Sequence, residues 1–214
     1  MIQAQADGYS NNNKASLPGV DGIILAAGFS SRAGAYKMTL DIGGKTMLER
    51  CIEAMYDVCT RLIIVGGYGV SAILPVVAGY SRAELVLNER FGDGMFGSVR
   101  KGLEHVRAGR FFLTPGDYPL ISREVYKSML NIVGDIVIPC CKGETGHPVL
   151  MKSSLIGEIL SDPGYCSLRD FIESRGFKKI EVEDEGILAD VDTMQDYFSI
   201  CGKFAKPVTG TVQG

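Results

Sequence analysis
Short apolar runs alternate with amphipathic stretches through most of this chain. GVDGIILAA, RLIIVGG, AELVLN, GRFFLTPG and DIVIPCC are brief, rich in β-branched or aromatic residues, and bounded by turn formers, which predicts strands. The stretches between them, 46–57, 70–77, 97–106 and 122–132, carry helical spacing. That order builds βαβ units and therefore a largely parallel sheet with helices on both faces. After residue 146 the rhythm changes. HPVLMK, FKKIEVED and GILADV read as strands, SSLIGEIL and SLRDFIESR as helices, and TMQDYFSICGKF as a closing helix. The expectation is one Rossmann-like α/β domain over 19–202, with a mainly parallel mixed sheet and an antiparallel element late in the chain. Residues 1–18, which contain NNN, and 203–214, which contain Pro207, read as flexible tails.

Composition narrows the function classes. Apolar residues make up 46% and charged residues 22%, and the net charge is -3, so nothing suggests a chain that coats nucleic acid or an anionic membrane. No apolar run approaches the roughly 18 residues of a membrane span. Six cysteines occur without a C-x-x-C pair, and His105 and His147 are the only histidines, a poor set for zinc. With no secretory signal in view, reduced thiols and a cytoplasmic location are expected.

The most informative loop is LAAGFSSRAGAYK, residues 25–37. It leaves the first strand at its carboxyl end, where open α/β sheets bind ligands. Gly28 and Gly34 permit positive φ and close backbone approach. Arg32 supplies a planar donor fork and Lys37 a point charge, so the loop suits a polyphosphate. Two familiar phosphate motifs fail. The glycines do not follow G-x-G-x-x-G, and Gly43-Gly44-Lys45-Thr46 lacks the earlier glycine of a P-loop, so it reads as a turn entering a helix.

A nucleotide bound through its phosphates brings Mg²⁺, held by one or two carboxylates. Asp117 in LTPGDYPLI stands just past a strand on the same sheet edge; an Asp opening a turn before Pro119 is the plainer alternative. Asp192 in ADVDTMQDYF is a second candidate, although Asp192 and Gln195 also fit a helix capping box. Ser98, near the start of the helix in GDGMFGSVRKGL, would face a ligand or simply belong to a capped helix start. His147 lies between Gly146 and Pro148, in a structural or a functional role.

Taken in order, LAAGFSSRAGAYKMTL, NERFGDGMFGSVRKGL, LTPGDYPLI, GHPVL and DVDT resemble the molybdenum cofactor cytidylyltransferases. These belong to the NTP-transferase superfamily, with the molybdopterin guanylyltransferases and sugar-phosphate nucleotidyltransferases. The resemblance spans about residues 20–200 and implies the nucleotide-diphospho-sugar transferase type of fold. It also implies transfer of a nucleoside monophosphate from a nucleoside triphosphate to a molybdopterin-type acceptor, with an apo-molybdoenzyme or its chaperone as a further partner. By the same resemblance Leu25, Ala26, Ala27 and Gly28 form the turn that meets the nucleotide. Arg32 and Lys37 hold the triphosphate, and Asn88 and Ser98 lie near the nucleoside. Asp117 and Asp192 hold Mg²⁺, and His147 and Arg169 face the acceptor.

Two segments depart from the family pattern. R-M-G is here Arg32-Ala33-Gly34, and a late G-D-x-G-x-R is here Gly164-Tyr165-Cys166-Ser167-Leu168-Arg169. LAAG in place of the LAGG common among guanylyl relatives crowds a purine more than a pyrimidine, which favours CTP. A sugar-phosphate nucleotidyltransferase and a non-catalytic nucleotide sensor are the alternatives.

Overall fold
The computed structural model describes residues 17–28, 36–162 and 164–204. In chain order the strands are β1 (Leu17–Ala26), β2 (Arg61–Gly66), β3 (Ala83–Leu87), β4 (Ala108–Pro115), β5 (Ile136–Cys141), β6 (Glu144–Thr145), β7 (Val149–Lys152) and β8 (Lys178–Glu181). The helices are α1 (Met47–Tyr56), α2 (Val70–Ala78), α3 (Met95–Leu103), α4 (Arg123–Leu130), α5 (Ile156–Ser161), α6 (Leu168–Arg175) and α7 (Met194–Phe204). β1 starts, and α7 ends, two residues outside the 19–202 span read from the sequence; the remainder of both tails lies outside the described residues.

The strands form one mixed sheet in the order β3-β2-β1-β4-β7-β5-β6, with β8 pairing β5. β1 pairs in parallel with β2 on one side and β4 on the other, and β7 runs antiparallel to both β4 and β5. The chain thus winds outward in opposite directions from β1. That reversal opens a crevice at the carboxyl ends of β1 and β4.

Alternation along β1 divides the core. Ile24 and Ala26 pack on the face covered by α1, α2, α4 and α7, whereas Ile23, Leu25 and Ala27 pack on the face covered by α3, α5 and α6. Both faces are buried, so β1 and β2 read as continuous apolar runs and not as alternating ones.

The Gly43–Thr46 segment is the turn into a helix that its spacing suggests. Thr46 Oγ1 accepts from the Glu49 N–H, and the Glu49 carboxylate accepts from the Thr46 N–H, closing a capping box on α1. GILADV is not a strand. Asp184 accepts from Gly186 N–H and Ser122 N–H, which winds Glu185–Leu188 into a 3-10 turn. The turn presses Gly186 against the Leu120 carbonyl, where a Cβ would come within 2.3 Å. That segment crosses the end of the sheet and delivers the following residues to the crevice.

Candidate active site
Tyr36 sets where the opening loop returns. Its hydroxyl donates to the Ala26 carbonyl at 2.7 Å, and its ring lies against Gly69. Gly69 begins α2 with φ of 67°, and a Cβ there would sit 3.1 Å from the Tyr36 ring, so glycine serves both the left-handed turn and the contact. Burial pushes the Tyr36 phenol up to about 12, so it remains a donor. The next residue, Lys37, opens a 3-10 turn whose Met38 is buried.

Lys37 reaches the crevice and meets two distant segments there. Nζ donates to the Val191 carbonyl at 2.6 Å and to Asp192 Oδ1 at 3.0 Å, and stands 3.4 Å from Asp117 Oδ2. The backbone completes the arrangement, because Val191 N–H donates to the Asp117 carbonyl at 3.0 Å. Two carboxylates from segments far apart in sequence therefore meet on one ammonium. Gly116 brings Asp117 close: its N–H donates to the Leu25 carbonyl at 2.9 Å, and a Cβ would lie 2.8 Å from Met38 Sδ.

Asp192 is free of the capping duty that its spacing to Gln195 suggests. The cap lies one residue later: Asp196 accepts from Thr193 N–H, and Thr193 Oγ1 accepts from Asp196 N–H. The shift leaves the Asp192 carboxylate to Lys37. Burial raises the Asp117 pKa, while Lys37 pulls it down.

The fit of these residues to Mg²⁺ can be judged from their chemistry. Among the described residues Asp117 Oδ1 is buried without a hydrogen-bond partner, and two carboxylates are already converged on a cation. Hard oxygen donors in this number match an ion that keeps waters and substrate phosphates in its shell. No group of three or more His, Cys, Asp or Glu side chains converges among the described residues, so an all-protein cage is not formed. The site fits Mg²⁺ bound together with a polyphosphate.

Beside this cluster lies a cavity of about 360 Å³. Leu25, Ala26, Ala27 and Gly28 form one wall, Ser98 and Met95 another, and Lys37, Asp117 and Asp192 sit at its edge. Gly28 does not adopt positive φ, and a Cβ there would meet nothing within 4 Å among the described residues. Ser98 and Asn88 are buried and bonded, with Asn88 Nδ2 donating to Ser98 Oγ at 3.0 Å. Asn88 is not part of the cavity wall. Its Oδ1 accepts from Arg90 N–H, which braces the turn carrying Phe91 and Gly92 into the wall.

A second cavity of about 450 Å³ shares Leu25, Met95 and Pro115 with the first. Its walls include Tyr118, His147 and Arg169. The rings of Tyr118 and His147 meet edge to face with centroids 4.6 Å apart. Burial pushes the His147 pKa down to about 4, helped by the charge of Arg169, so its imidazole is neutral near pH 7. Ser167 caps α6 by accepting from Asp170 N–H, and α6 carries Arg169 to this wall despite the altered segment before it.

The structure thus brings ten of the twelve residues singled out in the sequence to two adjoining cavities. Asn88 stands behind the wall, and Arg32 lies outside the described residues. Sequence reasoning missed Tyr36, Phe91 and Tyr118. Tyr118 lies inside the quoted GDYP stretch, and a large aromatic beside a site acid was the available signal.

The α/β sheet with a nucleotide-sized cavity at its switch point, edged by a lysine and two aspartates, and a matching family model together place the chain among the nucleotidyltransferases. Residues 22–180 match the model of the MobA-like NTP transferase domain, and the chain belongs to that family. It is 28% identical over 184 residues to the molybdenum cofactor cytidylyltransferase of Escherichia coli K12, covering 86% of this chain and 96% of that protein. It is 31% identical over 132 residues to a probable molybdenum cofactor guanylyltransferase of Natranaerobius thermophilus, covering 58% of this chain and 62% of that protein. Among solved structures, Rv0371c from Mycobacterium tuberculosis superposes with a TM-score of 0.75 at 24% identity, over 86% of this chain and 98% of that one.

Proposed function
We propose that this nucleotidyltransferase moves CMP from CTP to the phosphate of a molybdopterin-type acceptor, with release of pyrophosphate and a requirement for Mg²⁺. The observation that carries the reading is the convergence of Lys37, Asp117 and Asp192 at the edge of the first cavity, which shares Leu25, Met95 and Pro115 with the second. The near-full-length match to a cytidylyltransferase supports it.

The acceptor phosphate is ionised at neutral pH, so attack on the α-phosphorus needs no general base. The nucleophilic oxygen forms a new P–O bond as the bond to the β-phosphate oxygen breaks, and pyrophosphate carries away the electron pair. The protein supplies alignment and charge neutralisation. Mg²⁺, when bound, supplies Lewis-acid stabilisation of the phosphoryl oxygens. Asp117 and Asp192 hold that ion, and Lys37 with Arg32 neutralises the triphosphate. Leu25, Ala26, Ala27 and Gly28, which line the first cavity, seat the nucleotide, with alanine at position 27 favouring the smaller base. The second cavity receives the acceptor, with Arg169 as a cation and the Tyr118–His147 pair as an aromatic surface for a flat heterocycle.

The test is incubation with Mg²⁺ and each of CTP, GTP, ATP and UTP, with molybdenum-loaded molybdopterin or a panel of sugar 1-phosphates. Pyrophosphate and product mass are read together. Pterin-dependent release from CTP is expected. Turnover with a sugar 1-phosphate, or nucleotide binding without turnover, would overturn the assignment.

A further inference from the structure
In this structure the place that two site carboxylates offer to a metal is filled by a side chain of the protein itself. The Lys37 ammonium donates to Asp192 at 3.0 Å and to the Val191 carbonyl at 2.6 Å, and lies 3.4 Å from Asp117. Its side chain is only 12% exposed and that of Asp117 24%, so this part of the contact is shielded, whereas Asp192, at 54%, forms the side open to solvent. We infer that Lys37 is an internal cation that bars divalent metal from Asp117 and Asp192 until a polyphosphate draws the ammonium away. The inference rests on the nucleotidyltransferase reading of the site and adds an order of binding to it.

Charge makes the exchange directional. A divalent ion entering while Lys37 remains would put three positive charges against two carboxylates, at contact distance from one another. The repulsion between ion and ammonium opposes free metal strongly at this range. A triphosphate arriving in the adjoining cavity offers Lys37 new anionic oxygens, and the same movement uncovers both carboxylates. Metal and nucleotide then enter as one unit, and free metal does not occupy the site beforehand. The geometry allows a small displacement to do this. Lys37 begins its 3-10 turn directly after Tyr36, whose bond to Ala26 holds the backbone while the side chain swings.

Binding of Mn²⁺ alone, in the absence of nucleotide, tests this by counting free Mn²⁺ in electron paramagnetic resonance titrations. Wild type should bind Mn²⁺ weakly. Lys37→Met and Lys37→Gln should bind it about 10-fold tighter or more, the scale set by removing one unit of like charge at contact distance. Lys37→Arg keeps the charge and should stay weak. Adding Asp192→Asn to Lys37→Met should abolish the gain. Thermal melts establish which variants are folded, and either neutral variant suffices. Equal Mn²⁺ affinity in wild type and a folded neutral variant would overturn the inference, as would tight binding by Lys37→Arg or a gain that survives Asp192→Asn. None of these arms involves turnover, so a failed transferase assay with the gain intact would sink the activity and leave the barrier standing.

Discussion
Lys37 joins three parts of the chain, because its partners lie 80, 154 and 155 residues away in sequence. On the proposed reaction, replacing it with Ala removes a preorganised charge for the leaving pyrophosphate, and kcat should fall on the order of 10²-fold or more. Steady-state kinetics check this, and a change confined to KM would contradict it. His147 makes a pH prediction. Its folded pKa of about 4 lies below the ordinary 6.5, so between those values the unfolded chain binds more protons and stability drops as pH falls. Asp117, whose pKa is raised, contributes in the opposite sense, so the informative quantity is a difference. Thermal melts from pH 7 to pH 4 should show a shallower decline for His147→Gln than for wild type. At this scale the sequence was only partly legible. Asp117 stands out as an acid just past a strand, Lys37 as a cation in the loop after β1, and Asp192 as an acid ahead of the last helix. Tyr36 does not, because its role depends on Gly69 packing beneath its ring.

At the scale of elements, the exits of β1 and β4 set the site. Gly116 lets the β4 exit approach both Leu25 and Met38, and Gly116→Ala would place a Cβ 2.8 Å from Met38 Sδ. The overpacking should cost about 1–3 kcal/mol in stability and displace Asp117, so both the melting temperature and kcat should fall. A variant with unchanged kcat would show that the position of Asp117 does not depend on this packing. The strands of the first half were readable because burial on both sheet faces leaves unbroken apolar runs. GILADV misled for the same reason. Its apolar residues are buried at the end of the sheet, and the Asp184 carboxylate, by capping Gly186, decides for a turn over a strand. Apolar periodicity reports burial and is silent about such a cap.

The whole molecule separates stability from chemistry along the sheet. At the end of β1 remote from the crevice, buried Asp21 pairs with Arg61 at 3.2 Å and accepts from the N–H groups of Arg107 and Ala108. Asp21→Ala strands these partners, and unfolding should become easier by about 3 kcal/mol. The kcat/KM of the folded protein should be unchanged at a temperature well below its melt. A loss of activity without a loss of stability would contradict that separation. The general plan of the domain was legible from alternation alone, whereas the adjacency of the two cavities was not, since it depends on β7 returning antiparallel beside β4. The central claim is nucleotidyl transfer from CTP, and the most direct measurement follows CTP labelled at the α-phosphorus in the presence of Mg²⁺ and molybdopterin. The account predicts label in the pterin product and unlabelled pyrophosphate; label remaining in CTP, or released as free CMP, would contradict it.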